Sequence, residues 1–337
     1  MDIAVVGAGV IGMTTGLRLR KDGHEVCVVA NTFSPHTTSD IAAAFWLPFH
    51  VNSGRVAVWG FATYNIFCQL AEIPESGVSM TYAHVQFEES VPDPDWCVYV
   101  RGFRRAASFE LYPGYVDGYV FEAPVIEMPV YMRYLRRDFE SQGGIILQRH
   151  VHSLSWEELQ TPVIVNCSGL GAATLADDVQ VFPIRGQIVR VERGNIPPRV
   201  FLAEGQHHGI TYIVPRSTDC ILGGTAEDHN WSLDVEPSTS QSIITRCSKI
   251  EAQVGSTHIL ESLVGLRPGR HTVRLDAERL ENGVLIVHNY GHGGAGVTLS
   301  WGCAEEVARL VANDDRIKEM QPVITPFPNA VTQDVAA

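Results

Sequence analysis

The chain has 337 residues, 45% hydrophobic and 19% charged, a composition that supports a globular fold with a sizeable core and room for two domains. Its formal net charge of -13 is spread along the chain, which argues against nucleic acid or an anionic membrane as the main partner and favours small molecules. Seven cysteines lie scattered without a C-x-x-C pair, as free thiols in a reducing compartment would; there is no basic signal segment, no apolar run long enough for a bilayer and no Ser-Lys-Leu type ending, so a cytoplasmic location is expected.

The first thirty residues predict a βαβ unit. DIAVV is a short apolar strand, GAGVIG a turn, VIGMTTGLRLRKDG a helix that stops at Gly23, and EVCVV a second strand. The turn is a G-x-G-x-x-G at Gly7, Gly9 and Gly12, placed after a strand and opening a helix. There the backbone N–H groups around Val10 and Ile11 can approach a pyrophosphate, helped by the positive end of the helix dipole. The acid that takes the ribose hydroxyls at the end of the second strand in such units is replaced by Asn31, which keeps a hydrogen-bonding side chain.

PHTTSDIAAAFW then gives Thr37, Thr38 and Ser39 before the small residues Ala43 and Ala44, and predicts a helix capped by Ser39 or Asp40. From about Pro48 to Val125 the chain is rich in aromatics and Pro/Gly breaks and shows no repeat. PVYMRYLRRDFESQGG predicts a helix with Met132, Leu135 and Phe139 on one face, and TPVIVNCSGLG a buried strand ending in glycines that include Gly169. The runs GQIVRV, ITYIVP and DCILGGT predict antiparallel strands, the second carrying Tyr212. VGLRPGRHTVRLDAERL sets Arg267, Arg270 and Arg274 around a Pro-Gly bend, suited to bidentate capture of a carboxylate. HNYGHGGAGVTLSWG closes the pattern as strand, glycine turn and helix; His288 and His292 have no neighbouring carboxylate or cysteine to complete a ligand set, so no metal site is expected.

VVGAGVIG, TTSDIAAAFW, VRGFR, VNCSGLG, VFPIRGQI, TYIVP, LGGT, VGLRPGR and HNYGHGGAGVTLSWG, in this order and spacing, make the chain resemble the D-amino-acid oxidase family, flavoenzymes that include D-aspartate oxidase, nearly end to end. The resemblance implies an α/β fold: a Rossmann-type FAD-binding domain assembled from discontinuous segments, plus a substrate domain with an antiparallel sheet. The expected division is 1–50, 130–182 and 260–330 for FAD, 51–129 and 183–259 for substrate, and 331–337 as a tail. It implies that Arg270 pairs with a substrate carboxylate assisted by Tyr212, that the Gly294 carbonyl accepts the amine, and that Gly293, Gly294, Gly296, Val297 and Thr298 lie along the flavin. His208 stands where many members carry a lid tyrosine. The implied reaction is hydride transfer from Cα to flavin N5, giving a 2-oxo acid and ammonia, with O₂ reduced to hydrogen peroxide.

Gly205 and Ala226 occupy the positions of the arginines that D-aspartate oxidases use for a side-chain carboxylate, and Phe45 and Leu47 make the pocket apolar, so neutral D-amino acids are preferred as substrate. Arg216 keeps an acidic substrate open as an alternative, as do a glycine- or sarcosine-type amine oxidase and a dehydrogenase. The sequence leaves a homo-oligomer open.

Overall fold

The computed structural model describes residues 2–48, 54–204 and 210–313. Two sheets organise the chain. The first has six strands in the order Arg274–Arg279, Leu285–Tyr290, Val163–Asn166, Ile3–Val6, Val26–Ala30 and Ile145–Gln148; all neighbours run parallel except the first pair. Ile3 and Val5 pack into the main core, while Ala4 and Val6 join Val29, Ile164 and Ile286 in a second cluster on the opposite face. Burial on both faces is why these strands read as unbroken apolar runs. The helices Val10–Lys21, Met128–Ser141 and Gly296–Ala312 cover one side, the first touching both others.

The second sheet runs Glu227–Asp228, Phe182–Glu192, Asp219–Gly223, Thr211–Pro215, Arg199–Glu204, Val78–Phe87, Asp117–Ile126 and Arg104–Arg105, with Ile259–Gly269 along the other edge of Phe182–Glu192. Alternation sorts its side chains. Val189, Val191, Ile213, Cys220 and Leu222 face the helix Pro237–Ile250, whereas Ile188, Leu202, Val214 and Ile221 face the main core. The three segments expected as antiparallel strands pair in that way; Val78–Phe87 and Arg199–Glu204 are a parallel pair inside the sheet.

Residues 260–269, expected in the FAD-binding segment, hydrogen-bond along Phe182–Glu192 in the second sheet. Two expectations of local structure need correction. Pro268 and Gly269 are not a bend, because the strand continues through them opposite Pro183 and Phe182 and the chain turns only afterwards. The small helix Thr38–Ile41 is capped by Thr37, not by Ser39 or Asp40: Asp40 Oδ2 accepts from the Thr37 amide at 2.9 Å and the Thr37 hydroxyl at 2.6 Å. The aromatic region after Pro48, where no element was expected, contains the helix Gly54–Leu70, whose exposed stripe mixes Val58 with Arg55, Asn65 and Gln69 and so gives a weak amphipathic signal. The tail at 331–337 and His208 lie outside the described residues.

Candidate active site

A cavity of about 1130 Å³ runs from the carboxyl ends of the parallel strands to the inner face of the second sheet. Its floor at one end is backbone. Gly7, at φ +113°, passes so close to the next strand that a Cβ there would stand 2.3 Å from the Cys167 carbonyl oxygen; at Gly12 it would stand 1.9 Å from the Gly7 oxygen. Glycine at both positions lets the turn fold tightly and bring the first amides of the helix Val10–Lys21, which lack intrahelical acceptors, to the cavity wall. The Val10 amide donates to Ser39 Oγ at 2.9 Å, joining two of the sequence-predicted segments. Gly7, Gly9, Val10, Ile11, Asn31, Thr37, Thr38, Ser39, Ala43, Ala44 and Gly169 all line the cavity; Gly12 sits behind the turn.

At the other end the wall is made of side chains laid on glycine. The Tyr212 side chain rests over Gly223 and Gly224, where a Cβ would come within 1.8 Å of the ring and 2.7 Å of the hydroxyl, and the Arg267 guanidinium rests over Gly186, where a Cβ would meet Nη1 at 2.2 Å. Arg267 Nη1 donates to the Thr225 carbonyl at 3.1 Å. Burial pushes the Tyr212 hydroxyl above its ordinary pKa, and the neighbouring Arg267 opposes that rise. The two groups therefore form one cationic, hydrogen-bonding spot on a flat backbone. Gly294 lies beside the Arg267 stem, 3.7 Å from Cδ to a built Cβ.

Arg270, expected at that spot, is used elsewhere. Its Nε donates to Asp178 Oδ2 at 2.9 Å and its Nη1 to the Thr272 carbonyl at 2.8 Å, while the Tyr290 hydroxyl gives Asp178 Oδ2 a second bond at 2.8 Å. Burial would raise the Asp178 pKa, but the bonds from Tyr290, the Gln180 amide and Arg270 outweigh it and hold the group below the usual carboxylate range. Arg270 lines the cavity as part of this cluster, and three residues of separation along the chain decide which arginine meets Tyr212. Arg216, weighed as a counter-charge for an acidic substrate, is buried and bidentate on Asp219, with both bonds at 2.7 Å.

The glycine turn from Gly291 joins the two ends. Gly293, Gly294, Gly296, Val297 and Thr298 line the cavity, and the Thr298 hydroxyl donates to the Leu47 carbonyl at 3.0 Å. His288 Nε2 pairs with Glu278 at 2.9 Å, which braces the strand before the turn. His292 is buried at the cavity with no partner for Nε2, and burial pushes its pKa down to about 3, so the ring is neutral; Asn289 Oδ1 is likewise without a partner. Reasoning from sequence singled out neither the Arg267–Tyr212 pairing nor Asp178, Asn289 and Ile184; the glycines at 186, 223 and 224 were the available signal.

A largely parallel sheet with a glycine turn at the carboxyl end of a central strand, opening into a cavity shared with an antiparallel wall, is the arrangement of a flavin-dependent oxidoreductase. The family described as FAD dependent oxidoreductase matches residues 2–310, and the chain belongs to it. It is 47% identical over 308 residues to a D-amino-acid oxidase of Rubrobacter xylanophilus, covering 91% of this chain and 94% of that protein. It is 35% identical over 326 residues to the D-aspartate oxidase of Homo sapiens, covering 92% and 91%. Among solved structures, glycine oxidase from Geobacillus kaustophilus has the same fold, with a TM-score of 0.76 at 18% identity over 93% of this chain and 95% of that one. FAD is the cofactor, and the residues present fit it: the tight packing of Gly7 and Gly12 against the Cys167 and Gly7 carbonyl oxygens brings the first amides of the helix Val10–Lys21 to the cavity, where they can meet a phosphate, and two buried polar atoms beside the cavity, Asn289 Oδ1 and His292 Nε2, have no partner among the described residues.

Proposed function

We propose that the protein oxidatively deaminates D-amino acids with neutral side chains, using Arg267 in place of Arg270 to bind the α-carboxylate. The observation that carries this is the meeting of Arg267 and Tyr212 on a glycine platform in the same cavity as the glycine turns. A guanidinium and a phenol hydroxyl side by side offer a carboxylate a charge-assisted pair of bonds. FAD, when bound, supplies the acceptor for the hydride from substrate Cα. The protein's share is positioning: Arg267 and Tyr212 fix the carboxylate, the Gly294 carbonyl receives the amine, and Leu47, Leu202, Ile210 and Ile188 keep water from the reacting carbon. No strong base is required at Cα if the amine binds neutral.

Apolar lining, Ala226 in the wall and the engagement of Arg216 by Asp219 favour neutral over acidic side chains. O₂ is the proposed electron acceptor. Seven free cysteines, six of them buried, support a reducing, cytoplasmic setting, and no helix among the described residues is long and apolar enough to cross a membrane. The purified protein should be yellow, and anaerobic D-alanine or D-methionine should bleach its flavin absorbance while the L-isomers leave it unchanged. A panel of neutral, acidic and basic D-amino acids that causes no bleaching would overturn the proposal.

A further inference from the structure

The strand Phe182–Glu192 falls out of step with its neighbour beside the spot where Arg267 lies. Gly223 pairs with Ile188, and Glu227 with Arg185. Gly224, Thr225 and Ala226 are thus set against only Gln187 and Gly186, a bulge with one extra residue. A bulge interrupts the ladder and leaves a strand amide in need of another acceptor. Here the acceptor is a side chain: the Gln187 amide donates to Thr225 Oγ1 at 3.0 Å.

The carbonyl of the same threonine accepts from Arg267 Nη1 at 3.1 Å, and the Arg267 guanidinium rests on Gly186, next to Gln187. Thr225 therefore joins the arginine to the strand beneath it, with its hydroxyl on the strand and its carbonyl on the guanidinium. Both supports are fixed. The Gln187 side chain accepts from Arg185 Nη2 at 3.1 Å and the Glu236 amide at 3.0 Å, and donates to the Glu236 carbonyl and Ser240 Oγ, each at 2.8 Å. The carbonyl before Thr225, that of Gly224, is held by Arg246 Nη2 at 3.1 Å from the helix Pro237–Ile250, and the same nitrogen bonds the Ile210 carbonyl at 3.3 Å. Ala226 lines the cavity and Thr225 does not, so Thr225 reaches the substrate only through its neighbours.

We propose that Thr225 is a positioning residue for Arg267: its hydroxyl fills the ladder gap at the bulge, and this fixes the carbonyl that aims the guanidinium at the substrate carboxylate. The proposal rests on the role of Arg267 given above. A guanidinium is planar, so an acceptor fixed on Nη1 sets the direction of the N–H groups that remain for Tyr212 and a carboxylate. Without it, the long side chain would have to be ordered at each binding event, which weakens affinity more than it slows the hydride step.

The test is a double-mutant cycle on the flavin-loaded enzyme with D-alanine, followed by anaerobic flavin reduction, which separates apparent Kd from the limiting rate. Thr225→Val keeps the shape and removes the acceptor; apparent Kd should rise about tenfold, the worth of one hydrogen bond, with the limiting rate within about twofold and flavin content unchanged. Thr225→Ser, which restores the hydroxyl, should stay within about twofold of the unaltered enzyme in both quantities. In an Arg267→Ala background, Thr225→Val should change the ratio of limiting rate to Kd by less than about twofold, because the group that it aims is gone. Thr225→Ala is read in the same way if the valine variant does not fold. An unchanged Kd, a serine variant as impaired as the valine one, or an equal loss with and without Arg267 overturns the inference, since Thr225 would then only brace the sheet. An unaltered enzyme that no D-amino acid reduces, or an Arg267→Ala variant with full affinity, removes the underlying reading of Arg267 and this one with it.

Discussion

The two ends of the cavity are built in opposite ways. At the parallel sheet the wall is main chain: Gly7 and Gly12 pack against carbonyl oxygens, and the helix beginning at Val10 offers amides whose direction is set by the fold. At the antiparallel sheet the wall is side chain: Tyr212 and Arg267 lie on glycines, and their meeting depends on strand register. A site made of backbone is specified by what must be absent, namely a Cβ. A site made of side chains is specified by which residues of distant segments end up facing each other.

That contrast predicts different failures. At the backbone end a single methyl should be disastrous. Gly7→Ala introduces a Cβ 2.3 Å from the Cys167 oxygen in a residue at φ +113°, and neither backbone can yield without moving a central strand. The cost should be about 3 kcal/mol or more. Purified Gly7→Ala should come off the column colourless or with a small fraction of the normal flavin per chain, and with a lowered thermal midpoint. Full flavin occupancy would show that the turn has slack that the geometry denies it.

At the side-chain end the loss should be chemical and not structural. On the proposed role of Arg267, removing the guanidinium that faces Tyr212 should leave the substrate carboxylate without its charge-assisted partner, a loss of about 3–4 kcal/mol in transition-state binding. Arg267→Ala should therefore lower kcat/KM by about 100- to 1000-fold while keeping its flavin. Arg270→Ala should do the reverse, because it leaves Asp178 in a buried site without a cation, held only by the Tyr290 hydroxyl and the Gln180 amide. Its thermal midpoint should fall, with kcat/KM reduced about tenfold or less. Steady-state kinetics beside thermal melts would separate the two, and a larger catalytic defect in Arg270→Ala would return the carboxylate role to that residue.

The arginine pair also marks how far the sequence could be read. The βαβ opening, its glycine turn and the closing strand-glycine-helix were all legible, because each is a local pattern whose physical reason lies within a dozen residues. Arg267 and Arg270 share the same neighbourhood of Pro, Gly and apolar residues, and choosing between them requires knowing that the strand runs on through Gly269 and that Gly186 lies across from it. Those are non-local facts. The helix Gly54–Leu70 was missed for a different reason: its exposed stripe carries Val58 beside Arg55, Asn65 and Gln69, so few polar residues mark its period.

His292 lies where the two kinds of wall meet, and it should give the mildest effect. It is the one imidazole in the turn that joins the ends, buried, without a partner for Nε2, and held neutral with a pKa near 3 against about 6.5 in an unfolded chain. Between those values the unfolded state binds a proton that the folded state refuses. Stability from this residue is therefore complete above about pH 6.5 and is lost as pH falls, by about 1.4 kcal/mol for each pH unit. Urea unfolding of the flavin-loaded protein at pH 7.5, 6.5 and 5.5 should reveal that slope, and His292→Asn, which cannot titrate, should flatten it even if the variant is less stable at pH 7.5. Equal slopes in the two proteins would mean that His292 takes up a proton in the folded state. The turn would then hold a charge beside the flavin, and the line between a backbone end and a side-chain end of the cavity would have to be redrawn at this residue.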